Sequence, residues 1–273
     1  MNWRENQFRI ILLPGPTVGS PVNIGGFQNL PPSLNFINEL VTGPPGSGDL
    51  AEVYLAPDGT QAYLRGSLGI DVARNFSIGA AVPNSALFLA DEFRQRMQWS
   101  NDMPIRIIHQ KEFNESSRTT LTVYQSPPLN EIIYWFEQVS INMYGEVLVN
   151  TIAYSNNMST EDVLPTYCDQ IHGIERTAVA TMDGSGLSPQ NRITTFAIAT
   201  VLYNIRQCAS WFSLFERTLP IVSGISMKGG FIRNVLSYSG YVNNRVFSII
   251  TNNFNGATSV MRQKIWNLLN TLK

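Results

Sequence analysis

The sequence is short of charge, cysteine and histidine, and it holds no long apolar run. Asp, Glu, Lys and Arg make up 14% of the 273 residues, 19 basic against 20 acidic, for a formal net charge of -1. No basic run or aromatic-basic interleaving is present, which excludes the electrostatic footprint of a nucleic-acid-binding protein. Asn, Ser and Thr stand in place of charge, a balance common in exported proteins. Two cysteines, Cys168 and Cys208, set no disulfide framework; both fall among helix-like residues and are expected to be unpaired buried thiols. The two histidines, His109 and His172, lie apart without a ligand cluster, so each is expected to be structural or on the surface, and neither a metal nor a cofactor is called for. The first apolar run, Phe8 to Leu13, stops at Pro14. It is too short for a signal peptide or a membrane span and reads as a strand.

With 44% hydrophobic residues the chain can bury one large core or two smaller ones. From residue 1 to about 116 the pattern is short strands broken by turns. Ala51–Leu55, Pro57-Asp58-Gly59 and Gln61–Ser67 predict a hairpin with an Asp-Gly turn. The stretch Gly43-Pro44-Pro45-Gly46-Ser47-Gly48 predicts a loop; with two prolines and no lysine it is no phosphate cradle. A helix is predicted from Ser85 to Gln98, capped by Ser85 or Asn84, with Leu89, Phe93 and Met97 facing the core.

From about residue 117 helices precede strands. Ser126-Pro127-Pro128-Leu129 predicts a helix start with a capping hydroxyl, and Leu129, Ile132, Ile133 and Phe136 line one side. A second helix is predicted over 142–153, which sets Ser140 and Asn142 at the joint between two helices, where side chains can face a cleft. Asp183-Gly184-Ser185-Gly186-Leu187-Ser188 predicts a tight turn before a helix over 194–215, with Asp183 holding backbone N–H groups. It is not a Gly-X-Ser-X-Gly nucleophile elbow, because Asp183 stands where the first glycine would be. Lys228-Gly229-Gly230 precedes two strands, 236–242 and 245–251, joined by an Asn243-Asn244 turn. A last helix over 256–272 is predicted to bury Val260, Met261, Ile265, Leu268 and Leu269.

In this order, Ser140-Ile141-Asn142, then Asp183 to Ser188, then Lys228-Gly229-Gly230 resemble the second motif, the intervening loop signature and the third motif of the serine D-alanyl-D-alanine carboxypeptidases of the carboxypeptidase C family, which are penicillin-binding proteins. The flanks from Ser126 to Glu146, and the Val82 to Phe88 step into the earlier helix, resemble the family as well. The resemblance implies an α+β chain. It would be a partial penicillin-binding-protein and β-lactamase-like transpeptidase fold, with a helical subdomain, an antiparallel sheet and a C-terminal helix, preceded by a β-rich accessory segment. Residues 1–116 would be part of an accessory insertion domain, and 117–273 the C-terminal part of the peptidase domain. The implied reaction is acyl transfer on the D-Ala-D-Ala end of peptidoglycan stem peptides, with β-lactams as the second ligand class. Ser140 would relay a proton to the leaving amine, Asn142 would hold the substrate amide, and Lys228, with Gly229 and Gly230, would position the terminal carboxylate. Asp183, Gly184, Ser185 and Gly186 would be scaffold.

Two departures qualify that expectation. The family starts its chemistry at Ser-X-X-Lys, and no serine in this sequence is followed three places later by lysine. The implied reading is therefore a C-terminal portion without the nucleophile, inactive alone, from a periplasmic or extracytoplasmic enzyme whose signal peptide is not in this chain. Its sheet would have an open edge for a partner or a second copy. Gly229 also stands where the family carries a Thr or Ser hydroxyl. The alternative is a non-catalytic cell-wall-binding or scaffold protein that kept the fold. An unrelated hydrolase with its own triad is disfavoured, since neither histidine has the surroundings of a triad base.

Overall fold

The computed structural model describes residues 3–100, 102–107, 119–120 and 122–273. His109 lies outside the described residues. The chain divides into two compact units, Met1–Leu121 and Thr122–Lys273.

The first unit is built on β1 (Gln7–Leu13), whose alternate side chains Phe8, Ile10 and Leu12 are fully buried. This period of two is what a strand presenting one face to a core requires. β1 lies between β2 (Asn23–Gln28) and β8 (Ser77–Ala81), antiparallel to both. Between them in sequence come β3 (Asn35–Asn38), β4 (Val41–Gly43), β5 (Glu52–Leu55), β6 (Gln61–Arg65) and β7 (Ser67–Gly69). β5 and β6 form the predicted hairpin, with Asp58 at φ 58° in its turn. β3–β6 and β4–β7 pair in parallel, which the sequence did not signal. Helix α1 (Ser85–Arg96) is capped by Asn84, whose side-chain oxygen accepts from the Leu87 amide at 2.8 Å. Its buried line is Phe88 and Asp91, not the predicted one: Phe93 is 51% exposed and Met97 49%. The four-residue spacing was real, but the face that meets the β-sheet core is rotated around the helix from it.

The second unit opens with α2 (Leu129–Val139) and α3 (Asn142–Ser155), then α4 (Thr160–His172), the short strands β9 (Val179–Ala180) and β10 (Arg192–Ile193), α5 (Thr195–Cys208) and α6 (Phe212–Thr218). The first residue before α2 is Pro128, and no side chain caps that end, so the predicted Ser126 cap is corrected. The single helix expected over 194–215 is two, because Ala209 turns extended and ends α5. The sheet follows, in the order β11 (Ile221–Val222), β12 (Ile225–Ile232), β13 (Val235–Val242) and β14 (Arg245–Asn252), all antiparallel. Asn243 and Asn244, both at positive φ, make the predicted turn.

One sheet face packs Met227, Leu236, Tyr238 and Phe247 against Ile265 and Leu269 of α7 (Thr258–Asn270). Val260 and Leu268, expected in that stripe, are each 55% exposed. The opposite face carries Lys228, Ser239 and Ser248 in cross-strand register, with the Ser239 hydroxyl 2.9 Å from that of Ser248. It looks toward α5, where the Tyr241 hydroxyl donates to the Leu202 carbonyl at 3.0 Å. Two surfaces of this unit are partly open among the described residues. Among the described residues β14 pairs only with β13. Helix α2 packs against α6 and α3 with Ile132, Ile133 and Phe136 half-buried, and leaves Leu129, Trp135 and Val139 exposed.

Candidate functional site

The site is assembled where the end of α2, the start of α3 and the middle of β12 meet. α2 stops because Ser140 adopts the left-handed conformation, φ 59° and ψ 51°, while its amide still donates to the Phe136 carbonyl at 2.9 Å. A non-glycine residue held there marks a fixed backbone turn. Ile141 returns to extended geometry and Asn142 opens α3. Ser140 and Asn142 are both exposed at this joint, as the sequence predicted.

Lys228 joins the sheet to that joint. Its Nζ donates to the carbonyl oxygen of Glu137 at 2.7 Å, in the last turn of α2 and three residues before Ser140. Last-turn carbonyls have no partner within their helix, and the C-terminal end of a helix favours a cation. The second and third sequence motifs, 88 residues apart from Ser140 to Lys228, are thus brought together by one hydrogen bond. Burial pushes the Lys228 ammonium down from its ordinary value, and the Glu137 carboxyl pushes it back up. Burial raises the Glu137 carboxyl above the usual carboxylate range, against the pull of Lys228. Glu137 was missed in the sequence. The available signal is one acid, beside Gln138, in the mostly apolar last turns of a helix ending at Ser140.

Asp183 to Ser188 form a hydrogen-bonded loop seated on α3. Burial works against the Asp183 charge, but hydrogen bonds outweigh it and hold the carboxyl below its ordinary value. Asn191 donates at 2.9 Å, and the Ser188 and Gly186 amides at 2.6 Å each. Gly186, at φ 77°, supplies the left-handed turn. The loop reaches α3 through the Ser185 amide, which donates to Glu146 Oε1 at 3.1 Å. At Gly184 and Gly145 the two backbones touch: a Cβ on Gly145 would meet the Gly184 carbonyl carbon at 2.9 Å, and one on Gly184 would meet Val149 Cγ1 at 2.6 Å. The predicted scaffold loop therefore clamps the helix that Asn142 begins.

The third motif differs from expectation in a way the packing explains. Gly229 lies opposite Tyr238 on the face covered by α7. A Cβ there would fall 2.8 Å from Tyr238 Cε1, so a buried tyrosine ring fills the space of a side chain at 229. Gly230 is on the other face, opposite Ser237. Gly230, but not Gly229, borders an open cleft of about 560 Å³ that continues past Gly186, Ser188 and Arg192. Lys228, Ser140 and Asn142 are not among its lining residues.

Cys168 is buried and free, whereas Cys208 is free but exposed, correcting the expectation that both thiols are buried. His172 closes α4, where its Nδ1 lies 3.1 Å from Asn204 Nδ2. Among the described residues no helix is long and apolar enough to cross a membrane.

The model of the D-Ala-D-Ala carboxypeptidase 3 (S13) family matches residues 52–226, a span that holds Ser140, Asn142 and the 183–188 loop and ends two residues before Lys228. No curated protein matches the chain. Among solved structures, the chain is similar to penicillin binding protein 4 from Haemophilus influenzae, whose crystal structure is a complex with a β-lactam. The TM-score is 0.64 at 18% identity, covering 98% of this chain and 68% of that one. At that identity the likeness shows a shared mixed α and β fold.

Proposed function

The chain belongs to the D-Ala-D-Ala carboxypeptidase 3 (S13) family, and from that premise we propose that it is the substrate-recognising, C-terminal part of a serine-type D-Ala-D-Ala carboxypeptidase or endopeptidase. Its ligands are peptidoglycan stem peptides and β-lactams, in a periplasmic or extracytoplasmic setting. Residues 1–116 serve as part of an accessory domain and 117–273 as part of the peptidase domain.

The observation that carries this reading is the 2.7 Å bond from Lys228 to the Glu137 carbonyl, which sets an ammonium beside the Ser140–Asn142 joint. The ammonium draws the carboxylate of a D-Ala-D-Ala end. The Asn142 carboxamide accepts and donates to the substrate amide, and the Ser140 hydroxyl passes a proton to the departing D-Ala nitrogen. Asp183 and its loop act by fixing α3 rather than by touching substrate. The acylated oxygen comes from a Ser-X-X-Lys element that this sequence does not contain. A polypeptide carrying it would meet the edge of β14, which pairs only with β13 among the described residues, and the exposed Leu129, Trp135 and Val139 of α2.

The runner-up is a non-catalytic binding or scaffold role, favoured by Gly229 under the Tyr238 ring, because no side-chain hydroxyl is available at that position to assist carboxylate recognition. Both readings share the recognition site, which a blocked acyl-D-Ala-D-Ala tripeptide tests by titration calorimetry. Binding that is lost in Lys228→Ala, and absent for the C-terminal amide of the same peptide, is expected. Equal binding of acid and amide would remove Lys228 from the site.

A further inference from the structure

Asn255-Gly256 is the single Asn-Gly step in the sequence. It lies in the link between β14 and α7, the helix that covers the Tyr238 face of the sheet. Asn255, Gly256 and Ala257 are all exposed. Among the described residues the Asn255 carboxamide has no hydrogen-bond partner, and the Gly256 amide donates to none. Gly256 stands at φ 95°, and a Cβ there would meet nothing within 4 Å. A main-chain nitrogen can attack the carboxamide before it only when neither group is held and the following residue leaves room. All of these conditions meet at this step, where glycine also gives the backbone the freedom to turn into the ring.

Other asparagines lack that combination. Asn84 precedes a small residue, Ser85, but its side-chain oxygen accepts from the Leu87 amide at 2.8 Å and its nitrogen donates to Asp58 Oδ1 at 2.6 Å. Asn252 is followed by an amide that is already spent, since Asn253 donates to the Asn234 carbonyl at 2.8 Å.

We propose that Asn255 is a self-modification site, at which the Gly256 main-chain nitrogen attacks the Asn255 side-chain carbonyl carbon, ammonia leaves, and water opens the cyclic imide to aspartate or isoaspartate. A bond from Gly256 N to Asn255 Cγ forms as the Cγ–Nδ2 bond breaks. The Gly256 amide proton passes to solvent base, and the leaving nitrogen takes a proton from water. One water then adds across either imide carbonyl, so the chain exchanges ammonia for water and gains a carboxylate, with nothing oxidised or reduced. That carboxylate arises two residues ahead of Ala257, which caps α7 without a side-chain acceptor, and no acid stands in the first turn of the helix. A negative charge there complements the helix dipole. The isoaspartyl product instead adds a methylene to the main chain between β14 and α7. This inference is independent of the ligand site around Lys228.

The test is mass-spectrometric peptide mapping of the folded 273-residue chain held at mildly alkaline pH, beside a synthetic peptide of residues 246–262. Asn255 should convert in both, faster as pH rises and at a ratio near one, because an exposed link with unheld groups opens at no free-energy cost. Asn84 should stay intact in the folded chain and convert once denaturant releases its two hydrogen bonds. A folded chain slower than the peptide at Asn255 by about tenfold or more, an opening cost of about 1.4 kcal/mol, overturns the proposal. So does an Asn84 that converts in the folded chain as fast as Asn255. Gly256→Ala should slow conversion in the peptide, where no fold is at stake, and an unchanged rate there overturns the attack by that nitrogen. Asn255→Asp carries the aspartyl product from the start. It should melt above the parent chain and lose that gain at high salt, and a melting temperature at or below the parent's overturns the placement of the charge at α7.

Discussion

Replacing Gly145 by alanine sets two known effects against each other. In the interior of a helix, glycine to alanine is worth about 1 kcal/mol of added stability. Here the new methyl would press on the Gly184 main chain, with its carbonyl carbon at 2.9 Å, and on Phe136 Cζ at 3.2 Å. Neither side yields cheaply, because the Gly184 loop is tied down through the Ser185 amide to Glu146 and through Asp183 to three donors. Overpacking of this kind costs 1–3 kcal/mol, and contact with backbone puts it at about 3. The difference is a net loss of about 2 kcal/mol, a fall of about 4–8 °C in the melting temperature of a unit of this size. Differential scanning calorimetry of the chain and of Gly145→Ala measures it. Because Gly184→Ala breaks the same contact, the double variant should lose little more than either single one. Alanine at 145 that raises stability, or full additivity of the pair, would refute the close approach of loop and helix.

Asp183→Asn keeps the size but removes the charge that three donors converge on, and should cost about 1–3 kcal/mol, read by denaturant unfolding, with faster amide exchange at Gly186 and Ser188. The same carboxyl is held below its ordinary value in the folded chain, so its contribution is present above the unfolded value and is lost as pH falls through the folded one; acid melting of the parent that matches Asp183→Asn at neutral pH but differs at low pH would contradict this. Gly229→Ala should destabilise by about 1–2 kcal/mol through Tyr238, and shortening that ring in Gly229→Ala/Tyr238→Leu should relieve part of the loss in a double-mutant cycle. The free edge of β14 should show fast amide exchange along its outward N–H groups and self-association that grows with concentration in sedimentation velocity; a strict monomer with full protection along β14 would count against it.

The parts of this fold that the sequence displays are those whose local chemistry and packing agree. β13 and β14 are legible because apolar alternation and Asn243-Asn244 specify one hairpin, and β12 because it must pair with them. The Asp183 loop is legible because its acid, two glycines and two serines can form little except a tight turn. The burial of helices was harder to read. α1 has two plausible apolar stripes, and only the sheet of the first unit decides for Phe88 over Phe93. α2 looks like a core helix and yet is only half-buried, with Leu129, Trp135 and Val139 exposed, a property of what surrounds it and not of its own residues. The break at Ala209 carries no glycine or proline to announce it, and beyond it α6 packs against α2, with Gln138 Nε2 donating to the Thr218 carbonyl at 2.9 Å. The pairing of Lys228 with Glu137, and of Gly145 with Gly184, are contacts across tens of residues that no local pattern announces.

Intact-mass spectrometry after incubation with a fluorescent penicillin distinguishes a recognition site that lacks its attacking serine from one that contains it. An unmodified chain mass is expected, with any binding of the drug reversible on dilution and weakened by Lys228→Ala. A chain carrying one penicilloyl adduct, mapped to any of its serines, would contradict it.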